Sequence, residues 1–200
     1  MAEPPSDKPP SPPPAAAPSR PVVPTLPPQS VGEVVGGELV INPRPPPKHV
    51  HAATRLGALL TTPFDLGQGG PGGWHIVHQP ELSLGVDRNY DPIVPELAGW
   101  TKSSIPRMPD SGQFHVVPSW VCEILVPGSG GRDRVQKLPF YERAGVAYVW
   151  LVDPIEETVE VFGNRGRGAW FIDTVVVGEA GVRLPPFDAV EIPLRLLWEA

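Results

Sequence analysis

The pattern of apolar and polar positions is clearest in the third quarter of the chain. The run Trp120–Val126 is apolar except for one carboxylate, Glu123, and reads as a buried strand. After a Gly-rich loop, the charged amphipathic stretch from Arg132 to Ala144 predicts a helix that Pro139 kinks or delays. The apolar residues 146–152 and the alternating residues 158–162 then predict two more strands.

The rest of the chain predicts mainly strands. The predicted elements are a hairpin at 31–41 that turns at Gly36-Gly37, an amphipathic helix at 49–60, strands at 74–77, 81–84, 93–100 and 169–177, and a loop at 102–112. Two helices, one on each side of a central run of strands, predict a mixed sheet in an α/β arrangement.

The first 30 residues differ from the rest in composition. They contain 12 of the 30 prolines and few apolar side chains, so we expect a disordered arm at 1–30 followed by one domain at 31–200. The arm lacks the apolar core of a signal peptide, and no stretch reaches the roughly 20 apolar residues of a membrane span. We therefore expect a soluble, cytoplasmic protein with no membrane partner. The net charge of −6 argues against binding nucleic acid through bulk positive charge.

Two acidic residues on separate predicted strands suggest chemistry. Burying a carboxylate costs several kcal/mol unless it meets a partner or a metal, and both Glu96 and Glu123 lie in apolar runs. Strands lie about 4.8 Å apart, so two such carboxylates can share Mg²⁺ or Mn²⁺. Lys137 lies one turn from both Asp133 and Tyr141, on one helix face. Two plainer interpretations remain open: Glu123 belongs to a buried polar network, and Lys137 forms a solvated pair with Asp133.

Four histidines invite a zinc interpretation, which the spacing disfavours. Two of them form H-x-H and two form H-x-x-H, at His49, His51, His75 and His78. Residues two apart on a helix do not share a face, and the chain's single cysteine provides no cysteine cluster. We therefore expect no zinc site here.

Several segments together resemble one protein family. The segments VPELAGW, VPSWVCEIL, RDRVQKLPFYERAGV and YVWLVDPIEETVEVF are similar to the Uma-type family of restriction-endonuclease-like proteins, within the PD-(D/E)XK nuclease superfamily. The resemblance extends over residues 33–198. It implies a restriction-endonuclease-like α/β fold and Mg²⁺-dependent hydrolysis of DNA phosphodiester bonds. Nucleases of this fold often pair to cut both strands, so a homodimer is one oligomeric state that the resemblance allows.

The resemblance also implies roles for individual residues. Glu96 matches the acid of the family's PDLAG segment, where aspartate is usual, and Glu123 matches the acid of the third motif. Leu125 stands where most superfamily nucleases have lysine, so the resemblance assigns that role to Lys137. By this match Glu96, Glu123 and Lys137 are catalytic, and Glu96, Glu123 and Glu81 bind the metal with the carbonyl of Ile124. Glu38 and His49 also match common family positions, without an assigned role.

Departures from the family pattern favour an alternative function. Glu96 is one methylene longer than the usual aspartate, and Val126 replaces the serine of the SPST segment, which removes a hydroxyl beside the site. Together with the net charge of −6, these exchanges suggest a non-catalytic nuclease fold that binds DNA or a protein partner. The sequence therefore predicts a metal-dependent endonuclease, with a binding module as the alternative.

Overall fold

The computed structural model describes residues 30–42, 44–110, 112–126, 130–166, 169–178 and 181–199. The predicted disordered arm lies outside these residues, except for Ser30. Part of the loop that follows Glu123 also lies outside them. Within the described residues, no helix has the length and apolar character needed to cross a membrane.

The described chain opens with the predicted hairpin. Strand β1, Val31–Val35, pairs antiparallel with β2, Glu38–Asn42. The turn between them uses Gly36 and Gly37, whose φ angles of 62° and 85° are the left-handed conformations that a tight hairpin turn requires. Helix α1 follows at Pro47–Leu60 and continues into a π-helical turn at Thr61–Asp65.

A six-stranded mixed sheet forms the centre of the fold. Its strands, in their order across the sheet, are β3 Trp74–His78, β4 Leu97–Thr101, β5 Trp120–Ile124, β6 Tyr148–Asp153, β7 Thr158–Asn164 and β8 Trp170–Val177. Neighbours pair antiparallel except β5 and β6, which are parallel. The helical segment between β5 and β6 makes that parallel crossover possible.

That segment has three parts. The short helix α2 at Gly130–Arg132 leads into a π-helical turn at Asp133–Lys137 and then into α3 at Leu138–Ala144, which ends at Gly145 with φ of 88°. Pro139 lies in the first turn of α3, where its missing N–H is tolerated. The predicted helix with an irregular start is confirmed. The chain closes with β9 Gly181–Val182, β10 Ile192–Pro193 and helix α4 Arg195–Trp198.

The sheet carries one apolar cluster on each face. Helix α1 packs on one face with Leu56 and Leu60, and α3 packs on the other with Leu138 and Tyr141. Alternation along β5 divides its side chains between the two clusters, so all five residues of this strand are buried. The predicted α/β architecture, with a mixed sheet and helices on both sides, is confirmed.

Two strand predictions need correction. Residues 81–84 do not form a strand: only Leu82 makes isolated bridges, to Ile93 and Phe114. The strand predicted at 93–100 begins at Leu97, so Glu96 immediately precedes it instead of lying within it. Pro80 and Pro95 account for both differences, because proline has no N–H to donate to a sheet ladder.

Candidate active site

Glu123 lies in the interior, on the face of β5 that α3 covers. Its exposure is 6%, and Val121 and Leu125, two residues away on either side, belong to the apolar cluster on that face. One carboxylate oxygen, Oε1, accepts a 2.6 Å hydrogen bond from the Tyr141 hydroxyl and a 3.2 Å bond from Lys137 Nζ. The predicted buried carboxylate thus has two polar partners from the neighbouring helical segment.

Lys137 is buried among carboxylates. Its Nζ lies 3.2 Å from Glu123 Oε1 and 3.8 Å from Asp133 Oδ1, and the residue is 4% exposed. The sequence correctly placed Asp133, Lys137 and Tyr141 on one face, because all three turn toward Glu123. The plainer interpretation of a solvated pair between Lys137 and Asp133 is wrong, because both residues are buried.

The nearest carboxylate to Lys137 belongs to Glu33, which the sequence interpretation missed. Glu33 lies on β1, is 2% exposed, and places Oε1 3.0 Å from Lys137 Nζ. Its other oxygen, Oε2, accepts a 3.3 Å hydrogen bond from the backbone N–H of Val94. A signal was present: Glu33 has valine two residues away on either side, the same pattern that identified Glu123.

Burial and charge act together on this cluster. Burial raises the pKa of Glu123 to about 8; Asp133 and Glu33 add to the rise, against the opposing effects of the Lys137 ammonium and the Tyr141 hydroxyl. Burial alone would lower the pKa of Lys137, but Glu123, Glu33 and Asp133 outweigh it and raise that pKa. Burial and Glu123 likewise raise the pKa of the Tyr141 hydroxyl. The cluster therefore keeps its ammonium charged and disfavours a further negative charge.

Glu96, directly before β4, has different partners. His49 Nε2 lies 3.0 Å from its Oε2, and His78 Nε2 lies 2.9 Å from its Oε1. Burial acts to raise the pKa of Glu96, but the bonds to both histidines outweigh it and lower that pKa to about 2. The same contact with Glu96 raises the pKa of His78. Glu96 is therefore a stable carboxylate anion.

Glu96 and Glu123 lie near the same end of the β4–β5 pair but have different partners. The register across these strands begins with Leu97 opposite Cys122, so Glu96 lies just outside it. Burial raises the pKa of the Cys122 thiol, and Glu123 and Glu96 add to the rise. Both predicted acids therefore lie near Cys122, while the partners of Glu96 come from α1 and β3 and those of Glu123 come from the helical segment between β5 and β6.

Comparison with known proteins identifies the family of the chain. The family model described as "Uma2: Putative restriction endonuclease" matches residues 25–195. The chain belongs to the Uma2 family. Its fold is similar to a crystal structure titled as a putative nuclease belonging to DUF820 from Anabaena variabilis, with a TM-score of 0.65 and 21% identity over 84% of this chain and 89% of that one. No curated protein matched the chain significantly.

Glu81 lies apart from the partners of the other two acids in this Uma2 chain. Its side chain is exposed and accepts a 3.4 Å hydrogen bond from Gln113. Glu123 is buried within β5 and Glu96 is partly buried just before β4, whereas the exposed Glu81 lies beside the isolated bridge at Leu82. Its role as a metal ligand stays a prediction.

A metal at this Uma2 site would use few protein ligands. Among the described residues, no three or more His, Cys, Asp or Glu side chains are grouped to hold a metal ion. Mg²⁺ typically takes one or two carboxylates and completes its octahedron with waters and substrate phosphates. Glu96 and Glu123 fit that donor set in their chemistry, because both offer hard carboxylate oxygens and both lie near Cys122 at one end of the β4–β5 pair. Both carboxylates would have to exchange some of their present partners.

Proposed function

We propose that this Uma2 protein is a metal-dependent endonuclease that hydrolyses DNA phosphodiester bonds. In this proposal Glu96 and Glu123 bind Mg²⁺ or Mn²⁺, and Lys137 acts beside them as the third catalytic residue. The observation that carries the proposal is the buried contact between Lys137 and Glu123, next to the strand that Glu96 precedes, within the fold of this family. Glu81 remains a predicted third ligand.

The charges of the buried cluster favour a cation. Around Lys137, three carboxylates face one ammonium. The raised pKa of Glu123 shows that ionising this carboxyl group is unfavourable in these surroundings. A divalent cation would lower that cost by adding positive charge next to Glu123. When bound, such an ion polarises a phosphodiester and lowers the pKa of a coordinated water.

The chain's own residues would position the remaining reactants. Lys137 has three N–H donors. Two can hold Glu33 and Glu123 at 3.0 and 3.2 Å, and the third, which faces Asp133 at the longer distance of 3.8 Å, would turn to a phosphate oxygen or to the attacking water. Tyr141 donates to Glu123 Oε1 and thereby fixes the carboxylate that would hold the metal. Burial of the cluster excludes bulk water, which strengthens each of these electrostatic contacts.

DNA and a second copy of the chain are the proposed partners. With a net charge of −6, the chain would contact DNA through local groups and the bound cation instead of a broad basic surface. A homodimer would present two sites to the two strands of a duplex. Linear product from a supercoiled plasmid would support the dimer, whereas nicked circles alone would argue for one site acting at a time.

A plasmid cleavage assay tests the proposed function. We expect wild-type protein to cleave with Mg²⁺ or Mn²⁺ and to stop when EDTA removes the ion. Glu123→Gln keeps the side-chain shape but removes the charge, so we expect at least about a 10³-fold loss of cleavage. The matched control is Glu156→Gln, an exposed acid in the turn between β6 and β7, which should cleave like wild type. Equal cleavage by Glu123→Gln would contradict the assigned roles.

One observation favours the alternative of a non-catalytic module that binds DNA or a protein. The structure occupies the acids with protein donors: two histidines bind Glu96, and Lys137 and Tyr141 bind Glu123. Thermal unfolding distinguishes the two functions, since a ligand that binds only the folded state raises Tm. A catalytic site predicts a rise in Tm with Mn²⁺ that Glu123→Gln loses. A binding module predicts no rise, together with DNA or protein binding that needs no metal.

A further inference from the structure

We propose that Glu33 is a positioning residue that holds the Lys137 ammonium beside Glu123. This inference rests on the proposed nuclease function for its catalytic consequence. Its structural basis is independent of that function, since it depends only on contacts among buried side chains of β1, β5 and the helical segment before α3.

The first support is the geometry around Lys137. Glu33 Oε1 is the closest of its three carboxylate partners at 3.0 Å, ahead of Glu123 at 3.2 Å and Asp133 at 3.8 Å. Lysine has a flexible four-carbon stem, so its ammonium takes the position that its partners define. With Glu33 on one side and Glu123 on the other, the ammonium lies between β1 and β5. The Lys137 ammonium is therefore shared between the two carboxylates and does not pair with Glu123 alone.

The second support is the way in which Glu33 itself is fixed. Its Oε2 accepts a hydrogen bond from Val94 N–H, and the next residue on β1, Val34, donates its own N–H to Pro92 at 2.8 Å. These bonds attach β1 to the segment that leads into Glu96. One carboxylate thus links the proposed catalytic lysine to the backbone two residues before a proposed metal ligand. An isolated role in stabilising the hairpin would not need the contact with Lys137.

The third support is burial. Glu33 and Lys137 are 2% and 4% exposed. If their ion pair broke, water could not solvate the two buried charges in its place, so separation would be costly. Surrounding groups that orient residues binding a metal or substrate typically change activity about 10- to 100-fold when they are removed. We expect an effect of that size from Glu33, through the position of Lys137.

The kinetic test compares Glu33→Gln with Glu33→Asp. Glutamine keeps the shape and an acceptor for Val94 but cannot pair with the ammonium, so kcat should fall about 10- to 100-fold while KM for DNA stays within about twofold. Aspartate keeps the charge and should recover part of the lost kcat. Glu156→Gln serves again as the control. A kcat loss that merely follows the folded fraction, measured by thermal unfolding of each variant, would overturn the positioning role.

A labelling test needs no nuclease activity. Reductive methylation with formaldehyde, read by mass spectrometry, compares Lys137 with the exposed Lys48 and Lys102 of the same molecule. We expect Lys137 to react slowest in wild type and several-fold faster in Glu33→Gln, with Glu33→Asp between them and Glu156→Gln unchanged. Unchanged Lys137 labelling in Glu33→Gln would overturn the inference. If Glu33→Gln does not fold, Glu33→Asp provides the test. A Lys137 labelling rate and a kcat in Glu33→Asp that both equal those of wild type would overturn the inference.

The two tests separate the two proposals. If wild-type protein cleaves no DNA, the nuclease function fails, and the labelling result alone decides whether Glu33 holds Lys137. If wild type cleaves but Glu33→Gln changes neither kcat nor Lys137 labelling, the nuclease function stands and the positioning role fails.

Discussion

The partly buried Glu96 and the buried Glu123 lie near one end of the β4–β5 pair, and their pKa values move in opposite directions. The pKa of Glu96 is lowered to about 2, and that of Glu123 is raised to about 8. Burial disfavours the anion at both positions, so the partners decide the outcome. Two histidines donate to Glu96, whereas Glu123 shares a single ammonium with Glu33 and Asp133. The comparison shows that a carboxylate's charge depends on the ratio of donors to competing acids around it.

The difference suits the proposed chemistry. An acid that is already anionic, such as Glu96, is ready to bind a cation. An acid that ionises reluctantly, such as Glu123, gains most from a cation, because the ion supplies the positive charge that its surroundings lack. This contrast can be tested first by removing the Lys137 ammonium, then by neutralising Glu123, and last by replacing His78.

Removing the shared ammonium should have the largest effect. Lys137→Met leaves Glu33, Glu123 and Asp133 buried without it, so we expect a loss of roughly 3–5 kcal/mol in the free energy of unfolding and at least about a 100-fold loss of cleavage. Urea unfolding measures the first and plasmid cleavage the second. The control is Lys102→Met, whose 43% exposed lysine pairs with Asp65 and should cost at most about 1 kcal/mol.

A double variant sharpens this prediction. If carboxylate excess is the cause, adding Glu123→Gln to Lys137→Met should recover part of the lost stability, because it removes one of the competing acids. A double variant that is less stable than Lys137→Met would show that lost packing, not charge, explains the effect.

Neutralising Glu123 should stabilise the protein in a pH-dependent way. Because the folded-state pKa of Glu123 rises from its ordinary 4.5 to about 8, the folded state holds this proton more tightly than the unfolded state. Its contribution is fully favourable below about pH 4.5 and is lost as the pH rises toward 8. Glu123→Gln avoids that loss, so its Tm should exceed that of wild type by roughly 5 °C near pH 8.

The pH trend provides the control within the same experiment. The Tm advantage of Glu123→Gln should shrink steadily as the pH falls toward 4.5. An advantage that is absent near pH 8, or that grows as the pH falls, would contradict the raised pKa of Glu123.

Replacing His78, a partner of Glu96, should have the smallest effect, and this effect should be confined to a range of intermediate pH. The lowered pKa of Glu96 stabilises the fold above about pH 4.5 and the raised pKa of His78 stabilises it below about 6.5, so their pair contributes mainly between these values. We expect His78→Gln to cost roughly 0.2–1 kcal/mol there, because the side chain is 53% exposed. Urea unfolding across this range measures it, and an equal cost at every pH would implicate packing instead.

Much of the surroundings of Glu123 could be predicted from the sequence. A single carboxylate in an apolar run identified Glu123, and helical spacing placed Asp133, Lys137 and Tyr141 on the face that meets it. Both signals are local, since strand and helix periodicities fix which side chains share a face. The mixed sheet followed from the same periodicities.

The missing parts depend on contacts between distant segments. Glu33 meets Lys137 across about half the chain, and no local pattern shows which acid a buried lysine will choose. His49 and His78 contact Glu96 from α1 and β3. One histidine of the H-x-H pair and one of the H-x-x-H pair therefore bind the same acid, which the spacing within each pair does not show. The start of β4 was misplaced because Pro95, two residues before Leu97, has no N–H to donate to the ladder, and pattern alone does not show where the pairing begins.

Isothermal titration of Mn²⁺ shows whether Glu96 and Glu123 bind a cation at all. We expect saturable binding to wild type and to Glu156→Gln, with loss of binding in Glu123→Gln. Binding to Glu123→Gln as tight as to wild type, or no binding to wild type, would contradict a metal site built on Glu123.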